Sequence, residues 1–154
     1  MEYLIVLLCV CGYLLHRYLI SKKATEPAPA EAAHSPYEFQ VGTKDFNTKV
    51  LDGSHQTPIV VDFSADWCGP SQYLTSVLSE LVEAYCGTFL LGKVDVDKNE
   101  ELAKRYRVQS LPTVVLFQDG QIVDQFVGAR APHFIKFFLA KNGVTQPGSA
   151  VSTG

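Results

Sequence analysis

The side chains best suited to covalent chemistry lie in one short stretch, Trp67-Cys68-Gly69-Pro70-Ser71. A cysteine thiolate attacks disulfide sulfur, and the residues after Pro70 have apolar side chains at helical spacing. Cys68 therefore precedes a predicted helix, where unpaired backbone N–H groups and the positive end of the helix dipole stabilise a thiolate. We predict that Cys68 is the nucleophile of this chain.

Ser71 stands three residues after Cys68, where a Cys-X-X-Cys site has its second cysteine. In such a site the first cysteine forms a mixed disulfide, and the second then expels the product as a thiol. A serine hydroxyl cannot take that second step, although we expect it to hydrogen-bond the Cys68 thiolate. Cys86, near the end of the predicted helix, is interpreted as a core residue.

Asp62 is the second candidate for chemistry, because it interrupts the apolar run 58–64 six residues before Cys68. Burial of a carboxyl raises its pKa, which suits a proton relay beneath the thiol. An ion pair with Lys93 explains a buried aspartate equally well. The sequence leaves both interpretations open.

Composition excludes several other functions. The chain has 154 residues, 47% of them hydrophobic, which is enough for one folded domain with additional segments. A net charge of -3 with scattered Lys and Arg argues against nucleic-acid binding. The cysteines at positions 9, 11, 68 and 86 and the histidines at 16, 34, 55 and 133 match neither a disulfide scaffold nor a metal site. We predict no metal and no cofactor.

Residues 3–20 are apolar, with His16 and Arg17 able to snorkel toward lipid headgroups, and we predict a single transmembrane helix. A secretory signal is the alternative, although no Lys or Arg precedes the apolar region. Arg17, Lys22 and Lys23 follow the span, so the positive-inside tendency predicts a cytoplasmic domain. An extracytoplasmic domain is the alternative topology.

The remaining segments divide by composition. Residues 21–36 are rich in Ala, Pro and Glu and are predicted to be an extended linker, and residues 143–154 a disordered tail. Residues 37–142 are the predicted folded domain. Its predicted strands are 37–41, 58–64, 89–96, 113–117 and 121–127, and its predicted helices are 43–51, 70–85, 99–106 and 132–141. This order predicts a mixed sheet with helices on both faces, parallel where helices cross over and antiparallel at the Asp119-Gly120 hairpin.

Four ordered motifs resemble the thioredoxin family over about 105 residues, and the resemblance implies a thioredoxin fold. They are the approach Val61–Pro70, the strand Lys93–Asp97, the segment Leu111-Pro112-Thr113 and the end Phe126-Val127-Gly128. The resemblance implies a cis Leu111-Pro112 bond and a substrate groove at Trp67, Gly69, Pro70, Leu111, Pro112 and Gly128. The sequence departs from the family at Ser64, Ser71 and Ser76.

The region 72–128 is also similar to the thioredoxin-like part of the chaperedoxins, whose helical repeat domain is absent here. Three functional hypotheses follow. The first is a membrane-tethered monothiol protein that forms mixed disulfides through Cys68 with protein thiols or disulfides, or with glutathione. The second is a non-catalytic module that binds unfolded client proteins. The third is a Cys-to-Ser trap variant of an ordinary disulfide reductase.

Overall fold

The computed structural model describes residues 35–148. Within this range no helix is both long and apolar enough to cross a membrane. The predicted span at residues 3–20 and most of the predicted linker at 21–36 lie outside the described residues. The folded part begins two residues earlier than predicted, because the Ser35 hydroxyl and carbonyl accept hydrogen bonds from the Tyr37 and Glu38 N–H groups.

Five strands and three α-helices make up the described part of the chain, in nearly the predicted positions. The strands are β1 (Glu38–Gln40), β2 (Ile59–Ser64), β3 (Leu90–Asp95), β4 (Thr113–Gln118) and β5 (Gln121–Val127). The α-helices are α1 (Gly69–Ala84), α2 (Glu100–Arg105) and α3 (Pro132–Lys141). A π-helical segment, Asn47–Asp52, and a 3-10 turn, Gly53–His55, lie between β1 and β2.

The sheet has the order β1-β3-β2-β4-β5 and is mixed, as predicted. β3 runs parallel to β1 and β2, and β4 and β5 form the predicted antiparallel hairpin. The prediction of a parallel crossover through α2 was wrong, because β4 is antiparallel to β2. Six helical residues rise only about 9 Å, whereas a six-residue strand covers about 20 Å. The helix α2 therefore does not return the chain along the sheet, and β4 starts near the edge where β2 and β3 end.

Two hydrophobic clusters cover the two faces of the sheet, which confirms the layered prediction. One cluster joins the sheet to α1 and α3, with Leu74, Leu78 and Phe138 among its members. The other joins it to the π-helical segment and α2, with Phe46 and Leu102 among its members. Alternating side chains of the central strands contribute to each cluster, as the period of two requires. Residues at the ends of these strands are thereby held in fixed positions.

The predicted helix at 43–51 forms differently from the expectation. Phe46 and Val50 are fully buried on one face, as the spacing predicted. Thr43 does not cap a helix, because its hydroxyl and its N–H both donate to the Asn99 side-chain oxygen, at 3.4 Å and 2.9 Å. Asp45 instead accepts a hydrogen bond from the Gly42 N–H at 2.8 Å, and the turns that follow are π-helical. Tertiary packing of the two apolar residues overrides the local start signal.

The prediction of a disordered tail from residue 143 was wrong for its first two residues, Gly143 and Val144. Val144 is only 2% exposed and belongs to the cluster under α3. The Gly143 N–H bonds the Ala140 carbonyl and the Val144 N–H bonds the Leu139 carbonyl, which is the Schellman pattern at a helix end. Gly143 has the positive φ of 79° that this motif requires. Residues 149–154 lie outside the described range.

Candidate active site

Cys68 occupies the N-cap position of α1, in the loop between β2 and that helix. Its backbone is extended, its N–H donates to the Ala65 carbonyl, and its carbonyl accepts the first helical hydrogen bond, from the Gln72 N–H. Pro70 lies in the first turn, where its missing N–H costs nothing. Cys68 is half-buried, and its side chain makes no capping hydrogen bond to the helix. The sequence thus positions a partly accessible thiol at the positive end of a 16-residue helix.

Ser71 lies one turn into α1 and points inward. It is 1% exposed, and its Oγ has no hydrogen-bond partner within residues 35–148. The expected hydrogen bond from Ser71 to the Cys68 thiol is therefore absent. Ser71 lines a groove of about 620 Å³ together with Ser64 and Thr75, and Cys68 does not line that groove. The helix thus directs the Ser71 side chain into the protein, whereas Cys68 remains partly exposed in the loop before it.

Cys86 is the other cysteine of the described residues, and its predicted core position was wrong. It is exposed, with a positive φ of 47°, because the helix ends at Ala84 and the ring of the following residue, Tyr85, takes the buried position. The 16 residues of α1 separate Cys86 from Cys68 by about 24 Å. Cys86 thus cannot act as a resolving thiol for Cys68 within one chain.

The Leu111-Pro112 peptide bond is cis, as the sequence resemblance implied. The Leu111 carbonyl oxygen lies 4.0 Å from the Cys68 sulfur. The Pro112 carbonyl accepts a hydrogen bond of 2.8 Å from the Gly128 N–H, so Pro112 and Gly128 are joined directly. Gly128 has a φ of 85°, which disfavours any residue with a Cβ. The structure therefore brings three of the predicted groove residues next to one another beside the cysteine.

Trp67, Cys68 and Leu111 line a common open groove of about 580 Å³, which we call the thiol groove. Trp67 is 72% exposed, and its indole N–H donates a 2.8 Å hydrogen bond to an Asp97 carboxylate oxygen. The remaining predicted groove residues, Gly69, Pro70, Pro112 and Gly128, do not line this groove. The tryptophan forms one wall of the groove, with its indole N–H bonded to Asp97.

Asp62 is fully buried in the middle of β2. Its Oδ2 accepts a hydrogen bond of 2.6 Å from the Thr75 hydroxyl, whereas Oδ1 has no partner within the described residues. Burial raises the pKa of Asp62 to about 6, and the Thr75 bond and the Lys93 charge oppose that rise. Asp62 is therefore a buried acid whose charge changes near pH 6.

Lys93 is the register neighbour of Asp62 on β3, but the ion pair considered between them is not formed. The Lys93 ammonium instead lies 2.8 Å from a Glu38 carboxylate oxygen and donates to the Ser79 hydroxyl at 3.0 Å. The Ser79 hydroxyl also donates to Glu38 at 2.8 Å. This network joins β1, β3 and α1, and it reaches Asp62 only through the field of the lysine charge.

Sequence reasoning missed two residues of this site, Thr75 and Asp97. Thr75 follows Ser71 by one helical turn, so helical periodicity places it on the same inward face. Asp97 follows β3, at the sheet edge where β2 also ends, and that adjacency brings it near Trp67. Within residues 35–148 no three His, Cys, Asp or Glu side chains are arranged to hold a metal ion. Cys68 is the partly accessible thiol of this site.

Comparisons with known proteins agree with this geometry. A sequence model of the thioredoxin family matches residues 38–141. The mitochondrial thioredoxin of Mus musculus is 36% identical over 121 residues, which are 75% of this chain and 71% of that protein. The thioredoxin of Chlorobaculum thiosulfatiphilum is 37% identical over 97 residues, 63% of this chain and 88% of that protein. Thioredoxin 1 of Nostoc sp. is 40% identical over 90 residues, 58% of this chain and 82% of that protein.

Proposed function

Because the chain belongs to the thioredoxin family, we propose that it is a monothiol member that forms mixed disulfides through Cys68. Its partners are protein thiols and disulfides, and glutathione. The observation that carries the proposal is the position of Ser71, buried one turn into α1 where a resolving thiol would act. Cys86 lies at the far end of the same helix, so no second thiol of the described residues reaches Cys68.

The proposed chemistry is a single exchange. The Cys68 thiolate attacks one sulfur of a partner disulfide, a new S–S bond forms, and the other partner sulfur leaves as a thiolate that takes a proton from solvent. A dithiol enzyme would then break the new bond with its second cysteine. Ser71 cannot do so, and the mixed disulfide persists until an outside thiol such as glutathione attacks it.

Mass analysis of the full chain after exposure to oxidised glutathione tests this proposal. We expect one stable glutathione adduct on Cys68 that dithiothreitol removes, and none there in Cys68→Ser. The matched control Cys86→Ser should keep the adduct. In Ser71→Cys we expect an internal disulfide to replace the adduct. The same variant should gain the ability to reduce insulin with thioredoxin reductase. Rapid insulin reduction by the unaltered chain with thioredoxin reductase alone would contradict the proposal.

A client-binding module is the second candidate, and the exposure of Trp67 beside the thiol groove favours it. An exposed indole above an open groove suits the binding of apolar segments from unfolded proteins. Cys68→Ala separates the two functions, because it removes the exchange chemistry and leaves the groove in place. Suppression of client aggregation that survives Cys68→Ala and fails in Trp67→Ala would support this candidate.

We further propose that residues 3–20 tether the domain to a membrane with the domain on the cytoplasmic side. The apolar length of that segment and the positive residues that follow it support this proposal. In sealed vesicles of known orientation, protease should remove the domain only from the cytoplasmic face. Release of the chain by carbonate washing would contradict the tether, and protection from cytoplasmic protease would contradict the orientation.

A further inference from the structure

A second groove, of about 530 Å³, lies between the end of α2 and β5, and we call it the arginine groove. Its apolar part comes from Ile122 and Val127, which are 46% and 45% exposed. Arg105 and Arg107 line the same groove, and both are exposed. The surface thus combines aliphatic side chains with two positive charges.

The arginine groove adjoins the thiol groove. Gln109 and Ser110 line both, and Ser110 directly precedes the Leu111-Pro112 bond beside Cys68. A polypeptide whose sulfur lies at Cys68 can therefore continue past Ser110 into the arginine groove. This continuity distinguishes the groove from an unrelated apolar patch on the surface.

Within the part of the chain that the structure describes, the two arginines have no ion-pair partner. Neither Arg105 nor Arg107 forms an ion pair with any carboxylate of residues 35–148, whereas nearby Lys104 is 3.5 Å from Glu100. The strand β5, which supplies the apolar floor, is an edge strand. An occupant that carries carboxylates next to an aliphatic side chain would satisfy both parts of the surface.

We propose that the arginine groove binds an acidic, partly aliphatic segment of the client protein that exchanges disulfides with Cys68. The inference rests on the proposed function and adds a client specificity to it. Carboxylates of the client pair with Arg105 and Arg107, and an aliphatic side chain contacts Ile122 and Val127. An anionic lipid surface would meet the same charges, but the continuity with the thiol groove favours a polypeptide.

The rate of mixed-disulfide formation with two activated peptides tests this inference on the full chain. Both peptides carry one cysteine as a disulfide with pyridine-2-thiol and one leucine, and they differ only in having two glutamates or two lysines. The Cys68 thiolate bonds to the peptide sulfur, the pyridyl S–S bond breaks, and pyridine-2-thiolate leaves and takes up a proton. We expect the glutamate peptide to react about fivefold faster at low salt, with the difference lost near 1 M salt.

Matched variants locate the effect. Arg105→Gln with Arg107→Gln should abolish the preference, and replacement of both by Glu should reverse it. Lys44→Gln with Lys136→Gln removes the same total charge from exposed positions outside the groove and should leave the preference unchanged. An equal effect of this control pair would overturn the inference, because it would indicate that the net charge of the chain alone determines the preference for the glutamate peptide.

The small uncharged reagent 2,2′-dipyridyl disulfide separates the two proposals. If it fails to react at Cys68, the proposed function fails, and the inference falls with it. If it reacts normally while the two peptides react at equal rates, the inference alone is overturned. If the two peptides react at equal rates and the chain binds phosphatidylserine vesicles through the two arginines, the groove is a lipid site. That result would also overturn the inference.

Discussion

The Thr75 hydroxyl donates a 2.6 Å hydrogen bond to Oδ2 of Asp62, which joins α1 to the centre of β2 beneath the loop that carries Cys68. The bond occupies only half of the carboxyl group, because Oδ1 has no partner within residues 35–148. Burial is therefore the largest influence on this acid, and it raises the pKa of Asp62 to about 6. A charge that appears near pH 6 in the core makes stability depend on pH.

We expect the free energy of unfolding to contain a contribution from Asp62 that is lost as pH rises from about 4 to about 7. Below the ordinary pKa of 3.8 the Asp62 carboxyl is protonated in both the folded and the unfolded chain. Above about pH 6 the folded chain contains a buried charge, whereas the same charge in the unfolded chain is in water. A rise of about two pKa units corresponds to about 3 kcal/mol. Urea titrations across this range should show the loss in the unaltered chain and not in Asp62→Asn. The control is Asp52→Asn at an exposed position, which should show the same loss as the unaltered chain. If the free energy of unfolding depends on pH in the same way in Asp62→Asn and in the unaltered chain, this prediction is contradicted.

Thr75→Val should raise the pKa of Asp62 further. The variant keeps the shape of the side chain and removes the hydroxyl that favours the ionised carboxyl. A hydrogen bond to a charged group contributes about 1.5–3 kcal/mol, which corresponds to a rise of about one pKa unit or more. The carboxyl carbon of Asp62, followed by NMR across pH, measures the change. Thr75→Ser retains the donor and should titrate like the unaltered chain, and an unchanged titration in Thr75→Val would show that the bond has no electrostatic role.

Local periodicity accounts for most of the fold that could be predicted. The apolar run that became β2 and the helical spacing of Leu74, Leu78 and Leu81 were sufficient to position the elements around Cys68. The direction of β4 was not predictable in the same way, because it depends on whether α2 is long enough to return the chain along the length of a strand before β4 begins. Likewise, the Trp67–Asp97 bond joins residues 30 positions apart and exists only once β2 and β3 are paired.

Other errors came from signals that were present in the sequence. The order Asn142-Gly143-Val144 after an apolar helix is typical of a Schellman end with a buried following residue, but composition suggested a tail. Thr75 lies one turn after Ser71 on the inward face of α1, and its polar character marked it as a partner for a buried group. In both cases the position in the helical repeat was more informative than the residue type alone.

Removal of residues 143–154 should destabilise the domain, whereas removal of residues 149–154 should not. The longer deletion exposes the site of Val144 and removes the two hydrogen bonds that cap α3. Burial of one valine contributes about 2 kcal/mol, so we expect a loss of about that size in urea titrations. Val144→Ser in the full chain should reproduce most of the loss. Equal stability of the two truncated chains would show that the C-terminal cap is unimportant.

Asp97→Ala should release the Trp67 indole without unfolding the domain. The indole N–H loses its 2.8 Å partner at an exposed position, so we expect the free energy of unfolding to change by less than about 1 kcal/mol. Trp67 is the single tryptophan of the chain, and its fluorescence therefore reports this site alone. Anisotropy should fall and acrylamide quenching should rise in Asp97→Ala, whereas the neighbouring exposed variant Asp66→Ala should change neither. If both variants behave like the unaltered chain, the orientation of the indole depends on its packing in the thiol groove and not on Asp97.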